Sequence, residues 1–377
     1  MSTIKPLMLD ETGRELVDAI KLLAITQGAA PEFTSWKQIQ TAIANGYGPK
    51  YFPVGSQLAV NHSVYGTRLF DVVAHDYLKS VHDENAHTMT IQQHDLLPTI
   101  QFDGSEAFYY AEAELPAGTY NFTLATAYSS WAAGTYQFTL TKPVPKGGQL
   151  AISGYADAAM TARQVRSYAN QTTTTATESV AITAGSGGTN LGTFGEGLNN
   201  SQRVSYGSNN YKESAMRQFL NSSADAGSVW TPQTKFDRPP SWLTSLAGYK
   251  NGLDQDFLAV VGKVVLPCSA NNTYEAPDSS IAKDAKYTLN DEFYIASVRE
   301  IFNLNWDVAD DSKVFPFYEG AGTADNIKYR DGSAANWWLR TPHSRYAYSM
   351  RVVLSDGTAS VNYVVYTSGL APACTIV

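Results

Sequence analysis

The sequence predicts an α+β protein dominated by strands, with short helices at its beginning and a small antiparallel β module in its first half. Three observations lead there. Apolar residues make up 44% of the chain and charged residues only 16%, so it can bury substantial cores and does not resemble a disordered polyelectrolyte. Its 23 tyrosines and 28 glycines suit strands joined by irregular turns rather than long helices. Two copies of one aromatic motif, taken up below, alternate large and small polar residues with period two. A length of 377 residues accommodates two or three domains.

Residues 1–48 read as a helical segment. Leu9, Leu16, Val17, Ile20, Leu23 and Ala24 share one helical face, and Thr12 with Glu15 fits a capping box, so a helix is expected over 7–27. A second starts after Ser35, with Gln38 three residues on, buries Trp36, Ile39 and Ile43, and stops at Gly46. Helices this short are marginal alone, so they are expected to pack either on their own domain or against other copies in an oligomer.

Residues 49–190 read as a β-rich module that contributes to or precedes the C-terminal domain. YFPVGSQLAV is a strand entered through Pro53, and a second strand covers 69–73. AGTYNFTLATA at 117–127 and AGTYQFTLTKP at 133–143 share A-G-T-Y-x-F-T-L, which predicts an antiparallel pair with aromatics on one face and threonines on the other. Residues 170–189 are Thr- and Ser-rich, a polar loop holding one strand at 179–183.

Residues 191–377 mix helix and strand. A helix is expected over 206–220, entered at Asn209 or Asn210, and another starts at Pro239-Pro240. Residues 256–266 read as a short helix running into a buried strand, 291–297 as a strand, and Ser297 with Glu300 as the cap of a last helical turn. Near the end, Asp356-Gly357 lies between two strand patterns at 350–354 and 359–365, a hairpin signal for a type I′ turn because glycine accepts φ > 0.

Composition excludes several functions. A net charge of −8 without any Lys/Arg cluster leaves no footprint for nucleic acid. No apolar run approaches the roughly 18 residues of a membrane span, and no secretory leader is visible, so a soluble chain made in a cytoplasm is expected, without membrane insertion. Cys268 and Cys374 form no C-x-x-C motif; two buried thiols are expected, with pairing across the fold as the alternative. His75, His82, His87 and His94 lie near Asp76, Asp83 and Asp95, but their spacings of 7, 5 and 7 fit no compact zinc site, so no metal or other cofactor is assigned. Asp310-Asp311 and Asp325-Asn326 are oxygen-rich but lack EF-hand spacing, and loop capping explains them. No nucleophile elbow, P-loop or zincin motif occurs, and no catalytic residue is assigned.

Taken together, YGSNNYKESAMRQFLN, WTPQTKFDRPPSWL, LNDEFYIASVREIF, IKYRDGSAANWWLRTP and the closing GLAPAC resemble the variable proteins of diversity-generating retroelements in gut bacteriophages and prophages, over about residues 36–377. The resemblance implies a C-type-lectin-like domain, related to the formylglycine-generating-enzyme fold, at 191–377, with a variable region at about 337–377. It implies a receptor-binding protein on the virion surface, at a tail fibre or capsid, joined to other virion proteins and homo-oligomeric, with a trimer favoured. Its partner would be a bacterial cell-surface protein or glycan. Adenine-directed rewriting of the gene would vary His343, Arg345, Tyr346, Tyr348, Ser349, Val352, Leu354, Asp356, Thr358, Ser360, Val361, Asn362, Tyr363, Val365, Tyr366 and Ser368. Trp337, Trp338, Leu339, Arg340, Pro342, Arg351, Val353, Gly357, Gly369, Pro372 and Ala373 would be fixed frame. Leu370 departs from the pattern, which favours a basic or β-branched neighbour there.

The residues themselves agree with a binding role. Tyr346, Tyr348, Tyr363 and Tyr366 offer rigid amphipathic area among Ser and Asn, the composition of a paratope, although any one of them could equally be a core aromatic. Two other readings stay open: a bacterial surface lectin or adhesin, calcium-dependent through the Asp pairs, and an enzyme of the formylglycine-generating type. The second needs reactive cysteines, whereas Cys374 sits in an apolar APACTIV tail where a thiol is poorly ionised.

Overall fold

The computed structural model describes residues 33–126, 132–153, 163–168, 179–270, 286–304, 310–344 and 346–377. The helix expected at 7–27 lies outside them, as does Arg345. With 36% strand against 17% helix the protein is a mostly-β α+β fold.

The first described helix, Trp36–Ala44, starts where its cap predicts, with Ser35 Oγ accepting from Gln38 N at 3.3 Å. Ile39, Ala42 and Ile43 are buried, Trp36 meets the Phe257 ring at 4.7 Å, and Gln40 Nε2 donates to Val377 O at 2.6 Å. Of the two packing expectations, this helix therefore takes the first: it lies on the chain's own body.

Two five-stranded sheets make that body. One orders Gln57–His62, Gly66–His75, Met89–Gln93, Ala373–Ile376 and Phe293–Tyr294. The other orders Ala359–Tyr363, Ser349–Val353, Trp337–Pro342, Thr367–Leu370 and Leu97–Gln101. Strands from before residue 102 and after residue 292 thus share both sheets, and the last strand sits between Met89–Gln93 and Phe293–Tyr294. Residues 57–101 complete the C-terminal body through both sheets. The main core gathers Phe70, Val72, Ile91, Trp338, Met350, Val352, Cys374 and Ile376. A second cluster, with Trp337, Leu339, Val353, Ile301 and Phe315, covers the other side of the Trp337–Pro342 and Ser349–Val353 strands.

Between the two halves of this body the chain builds a separate eight-stranded sheet, in the order Gly197–Leu198, Thr189–Phe194, Gly118–Leu124, Gly134–Leu140, Ser179–Ala184, Arg163–Tyr168, Gln149–Ser153 and Tyr109–Tyr110. The repeated motif forms its central antiparallel pair, with Tyr120 opposite Phe138 and Phe122 opposite Tyr136. These four rings are buried with Phe108, Leu124, Leu140 and Leu150, each large side chain contributing about 1.5–3 kcal/mol. In both copies the tyrosine hydroxyl donates to the carbonyl four residues back, Tyr120 to Pro116 at 2.6 Å and Tyr136 to Ala132 at 2.7 Å. The polar face carries the Thr119–Thr139 hydroxyl pair at 3.0 Å.

Two local expectations are corrected. The helix predicted over 206–220 with its entry at Asn209 or Asn210 starts later, as Ala215–Asn221 capped by Ser214, and Tyr206 instead ends a separate short helix, Ser201–Tyr206. Gly207, at φ +76°, closes that first helix, and at the expected entry the Asn210 side chain accepts from Lys212 N, which holds a turn instead of a helix start. The Asp356-Gly357 hairpin forms, pairing Ser349–Val353 with Ala359–Tyr363, but its turn is not type I′. Leu354 and Thr358 close a three-residue loop, Gly357 N donates to Leu354 O at 2.9 Å, and only Gly357, at φ +80°, takes the left-handed conformation.

The other expectations for the C-terminal half fall close to where they were drawn. Ser241–Thr244 follows the proline pair as a single 3₁₀ turn, and Gln255–Leu258 precedes the strand Val264–Ser269. Ser297 and Glu300 make the full capping box of the helix Val298–Phe302.

Candidate binding face

The WWLR strand is wholly interior. Trp337, Trp338 and Leu339 are buried to completion, and each indole finds a carbonyl: Trp337 Nε1 donates to Asn326 O at 3.2 Å and Trp338 Nε1 to Ile100 O at 2.8 Å. Arg340 is ion-paired at two points with Glu300, at 2.6 and 2.7 Å, and also donates to Pro267 O and Ile295 O. At the other end Gly369 N donates to Asn336 O at 2.7 Å, and a Cβ on Gly369 would sit 2.6 Å from Leu96 Cδ1. Gly357 is fixed twice, by its φ and by Thr323 O, which would lie 1.7 Å from an added Cβ.

Between these ends the aromatic side chains of two loops meet. His343 and Tyr346 lie 4.7 Å apart by ring centroid, Tyr346 and Tyr348 5.5 Å, Tyr348 and Tyr363 5.4 Å, and Tyr363 and Tyr366 5.2 Å. The row is continuous, and Tyr346 and Tyr366 within it are 46% and 47% exposed. The loops are tied to each other by Val364 N donating to Tyr348 O at 3.0 Å. Val364 is buried and its carbonyl accepts from Phe102 N at 2.9 Å, which fixes the second loop to the body.

Two residues that sequence reasoning did not assign to the face complete it. Tyr206, at the end of its helix, stacks on Tyr348 at 4.9 Å and meets Tyr363 at 4.6 Å. Asn209 clamps the first loop, its Nδ2 donating to Tyr346 O and Ser349 O and its backbone N to Ala347 O. Both lie within the YGSNN segment, whose glycine and paired asparagines signal a turn held by side-chain amides, but nothing local says which loop it serves.

The remaining sites expected to vary divide by burial. Ser349 and Val352 are fully buried and Ser368 is 1% exposed, so these three cannot present a side chain to a partner, which corrects their assignment as ligand-binding positions. The cause is that the strand Ser349–Val353 is covered on both faces, Met350 and Val352 by one core and Val353 by the other. Leu354 and Val365 lean half-buried on the main core. Ser360 and Asn362 are half-buried, Asn362 donating to Ser368 Oγ, and Val361 is exposed. Asp356 and Thr358 bond each other in the turn at the far end of the hairpin, about 17 Å along the strands from Tyr363, and do not join the aromatic row.

The other chemistry-bearing groups are dispersed. His87 pairs with Asp76 at 3.0 Å, His94 with Asp71 at 2.8 Å, His75 bonds Phe52 O, and His82 lies in an exposed turn. Among the described residues no group of three or more His, Cys, Asp or Glu is arranged to hold a metal. Asp310 accepts from Ser312 and faces Arg340, Asp311 pairs with Lys286, and Asp325 accepts from Gly322 N. Cys268 and Cys374 are separate buried thiols; burial pushes Cys268 up to about 12 and Cys374 well above the usual range. A polar concavity of about 480 Å³ beside Ser223 and Asn251 has its opposite charges, Lys250 and Glu292, paired with each other. No helix among the described residues is long and apolar enough to cross a membrane.

No curated protein and no solved structure matches the sequence. The family described as Domain of unknown function (DUF6273) matches residues 171–377, more than half of the chain and all of the candidate face, and the chain belongs to that family.

Proposed function

We propose that the protein is a non-catalytic recognition protein displayed on a phage virion. Its C-type-lectin-like body would present the row from His343 to Tyr366 to a bacterial surface protein or glycan, as the resemblance to retroelement variable proteins implies. The observation that carries the reading is the contrast across 337–377: the two ends are completely buried, and the loops between them bring five aromatic rings into one row with exposed tyrosines. Tyrosines of this kind supply large contact area at low entropic cost, and a few such anchors carry most of an interface's affinity. The pairing of the last strand, Ala373–Ile376, with Met89–Gln93 supports a lectin-like arrangement in which the chain's later strand closes on its earlier one. Multivalent display would multiply weak contacts through effective concentration.

The test is the double substitution Tyr346→Ala and Tyr366→Ala in the full chain, with adsorption of labelled protein scored over a panel of gut bacterial strains. The variant is expected to melt as the wild type does and to lose adsorption to strains that retain the wild type by about tenfold or more. Undiminished adsorption would sink the reading.

A further inference from the structure

The two exposed rings of the row do not stand alone. Tyr346 rests on Tyr348, Tyr366 rests on Tyr363, and Tyr348 and Tyr363 both rest on Tyr206. Tyr206 is only 3% exposed, so it offers a partner almost no surface of its own. Its place is set from beneath. The helix Ser201–Tyr206 starts on an Asn200 side-chain cap, and Arg203, 1% exposed, is held by Glu106 at 2.6 to 2.9 Å and by Glu213 at 3.2 Å. Immediately after the ring, Gly207 turns the chain at φ +76°, where a Cβ would lie 2.2 Å from Gly104 O and 3.0 Å from Val364 Cγ2. Side-chain contacts before the ring and the close approach of Gly104 after it therefore hold the ring where two separate loops meet.

We propose that Tyr206 is a positioning residue of the binding face, a single ring outside 337–377 that sets the tilt and spacing of Tyr348 and Tyr363 and, through them, of Tyr346 and Tyr366. The inference rests on the reading of that row as a binding surface. Its physical content is preorganisation: rings stacked on a fixed support lose less freedom when a partner docks, whichever side chains the exposed positions carry.

Three variants of the full chain test it. Tyr206→Phe keeps the ring, Tyr206→Leu keeps apolar volume without one, and Tyr206→Ala removes both. Folding is followed by far-ultraviolet circular dichroism, ring coupling by the near-ultraviolet tyrosine bands, and ring accessibility by nitration with tetranitromethane, mapped by peptide mass. Adsorption is measured on a bacterial strain that retains the wild type. The expected result is folded Leu and Ala variants with altered near-ultraviolet bands, faster nitration of Tyr348 and Tyr363, and adsorption reduced by about tenfold. Tyr206→Phe should keep the wild-type nitration rates and adsorption.

Unchanged nitration of Tyr348 and Tyr363 in the Leu and Ala variants overturns the proposal, as does loss of folding in both, which would make Tyr206 a core residue and nothing more. Rearranged rings with full adsorption also overturn it; if the Tyr346/Tyr366 double variant still lowers adsorption, the binding reading survives that failure. If the double variant leaves adsorption intact as well, the binding reading itself has failed.

Discussion

Arg340 gives the clearest separation between frame and face. Its guanidinium is fully buried, bound twice by the equally buried Glu300, bonded to Pro267 O and Ile295 O, and 3.7 Å from Asp310. Arg340→Met retains apolar length but leaves Glu300 and Asp310 as buried carboxylates without their cation. Removing one partner of such a pair costs about 3–5 kcal/mol, against a total of about 5–15 kcal/mol for a typical domain. Tyr346→Ala, by contrast, removes a ring that is 46% exposed and should cost about 1 kcal/mol or less. Urea unfolding followed by tryptophan fluorescence reads both, because Trp337 and Trp338 lie in the same strand as Arg340. The Arg340→Met deficit should widen as pH rises, since Glu300, whose carboxyl burial already pushes up, must then shed its proton without a cation beside it. A loss below about 1 kcal/mol for Arg340→Met, or a larger loss for Tyr346→Ala, would refute the reasoning.

Three further outcomes follow from the same geometry. Gly357→Ala should destabilise by about 2 kcal/mol or more in the same unfolding assay, through both its left-handed backbone and the clash with Thr323 O; a neutral result would show that the turn is free to move. Ser349→Tyr, at a position expected from the resemblance to vary, should destabilise as an overpacked core does, by about 1–3 kcal/mol or more in the same unfolding assay, and a variant as stable as the wild type would return Ser349 to the surface set. Asp237, half-buried near Glu106, has its carboxyl pushed up to about 6 by desolvation first and Glu106 second. Because the folded value lies above the unfolded one, its contribution is complete below about pH 4 and is lost as pH rises through about 6, an effect of up to about 3 kcal/mol that solvent screening at a half-buried site lessens. Asp237→Asn should remove that part of the pH dependence of stability, and an unaltered profile would count against the shift.

What was legible in the sequence was what neighbouring residues decide. Ser35 with Gln38 marked a helix start, Ser297 with Glu300 marked a complete capping box, and A-G-T-Y-x-F-T-L paired with its own copy because both strands carry the same alternation. What was illegible depended on residues far away in the chain. Nothing in YGSNNYKESAMRQFL says that Asn209 does not open the helix, because its amide and backbone N–H are taken by the distant carbonyls of Tyr346, Ser349 and Ala347. The Asp-Gly pair announced a hairpin, but the turn type was set by how Leu354 and Thr358 close the loop and how Gly357 fits against Thr323. Ser349 and Val352 were placed among the varied positions by resemblance and not by alternation. The strand Ser349–Val353 that holds them is covered on both faces, the second by a cluster drawing Ile301 and Phe315 from a different part of the chain, which no local pattern reveals.

These non-local causes redraw the boundary between what specifies the fold and what is available for recognition. Resemblance placed that boundary by sequence position, with most positions between the two framed ends open to change and Arg351, Val353 and Gly357 held fixed among them. Burial places it by support: Ser349, Val352 and Ser368 sit inside the frame although they lie within the stretch, and Tyr206 belongs to the face although it lies some 140 residues before its neighbours Tyr348 and Tyr363. Under the proposed function the face carries different side chains in different variants, which calls for supporting contacts that do not depend on them. Here those contacts are backbone and buried: Val364 N on Tyr348 O, Asn209 on the carbonyls of Tyr346 and Ser349, and Phe102 N on Val364 O. Each holds a main-chain atom, so the identity of an exposed ring can change without loosening the loop that carries it. On this argument tolerance to substitution should follow whether a position's side chain, rather than its backbone, is engaged by the body; within 343–368 that criterion separates Tyr346 and Tyr366 from Ser349 and Val352.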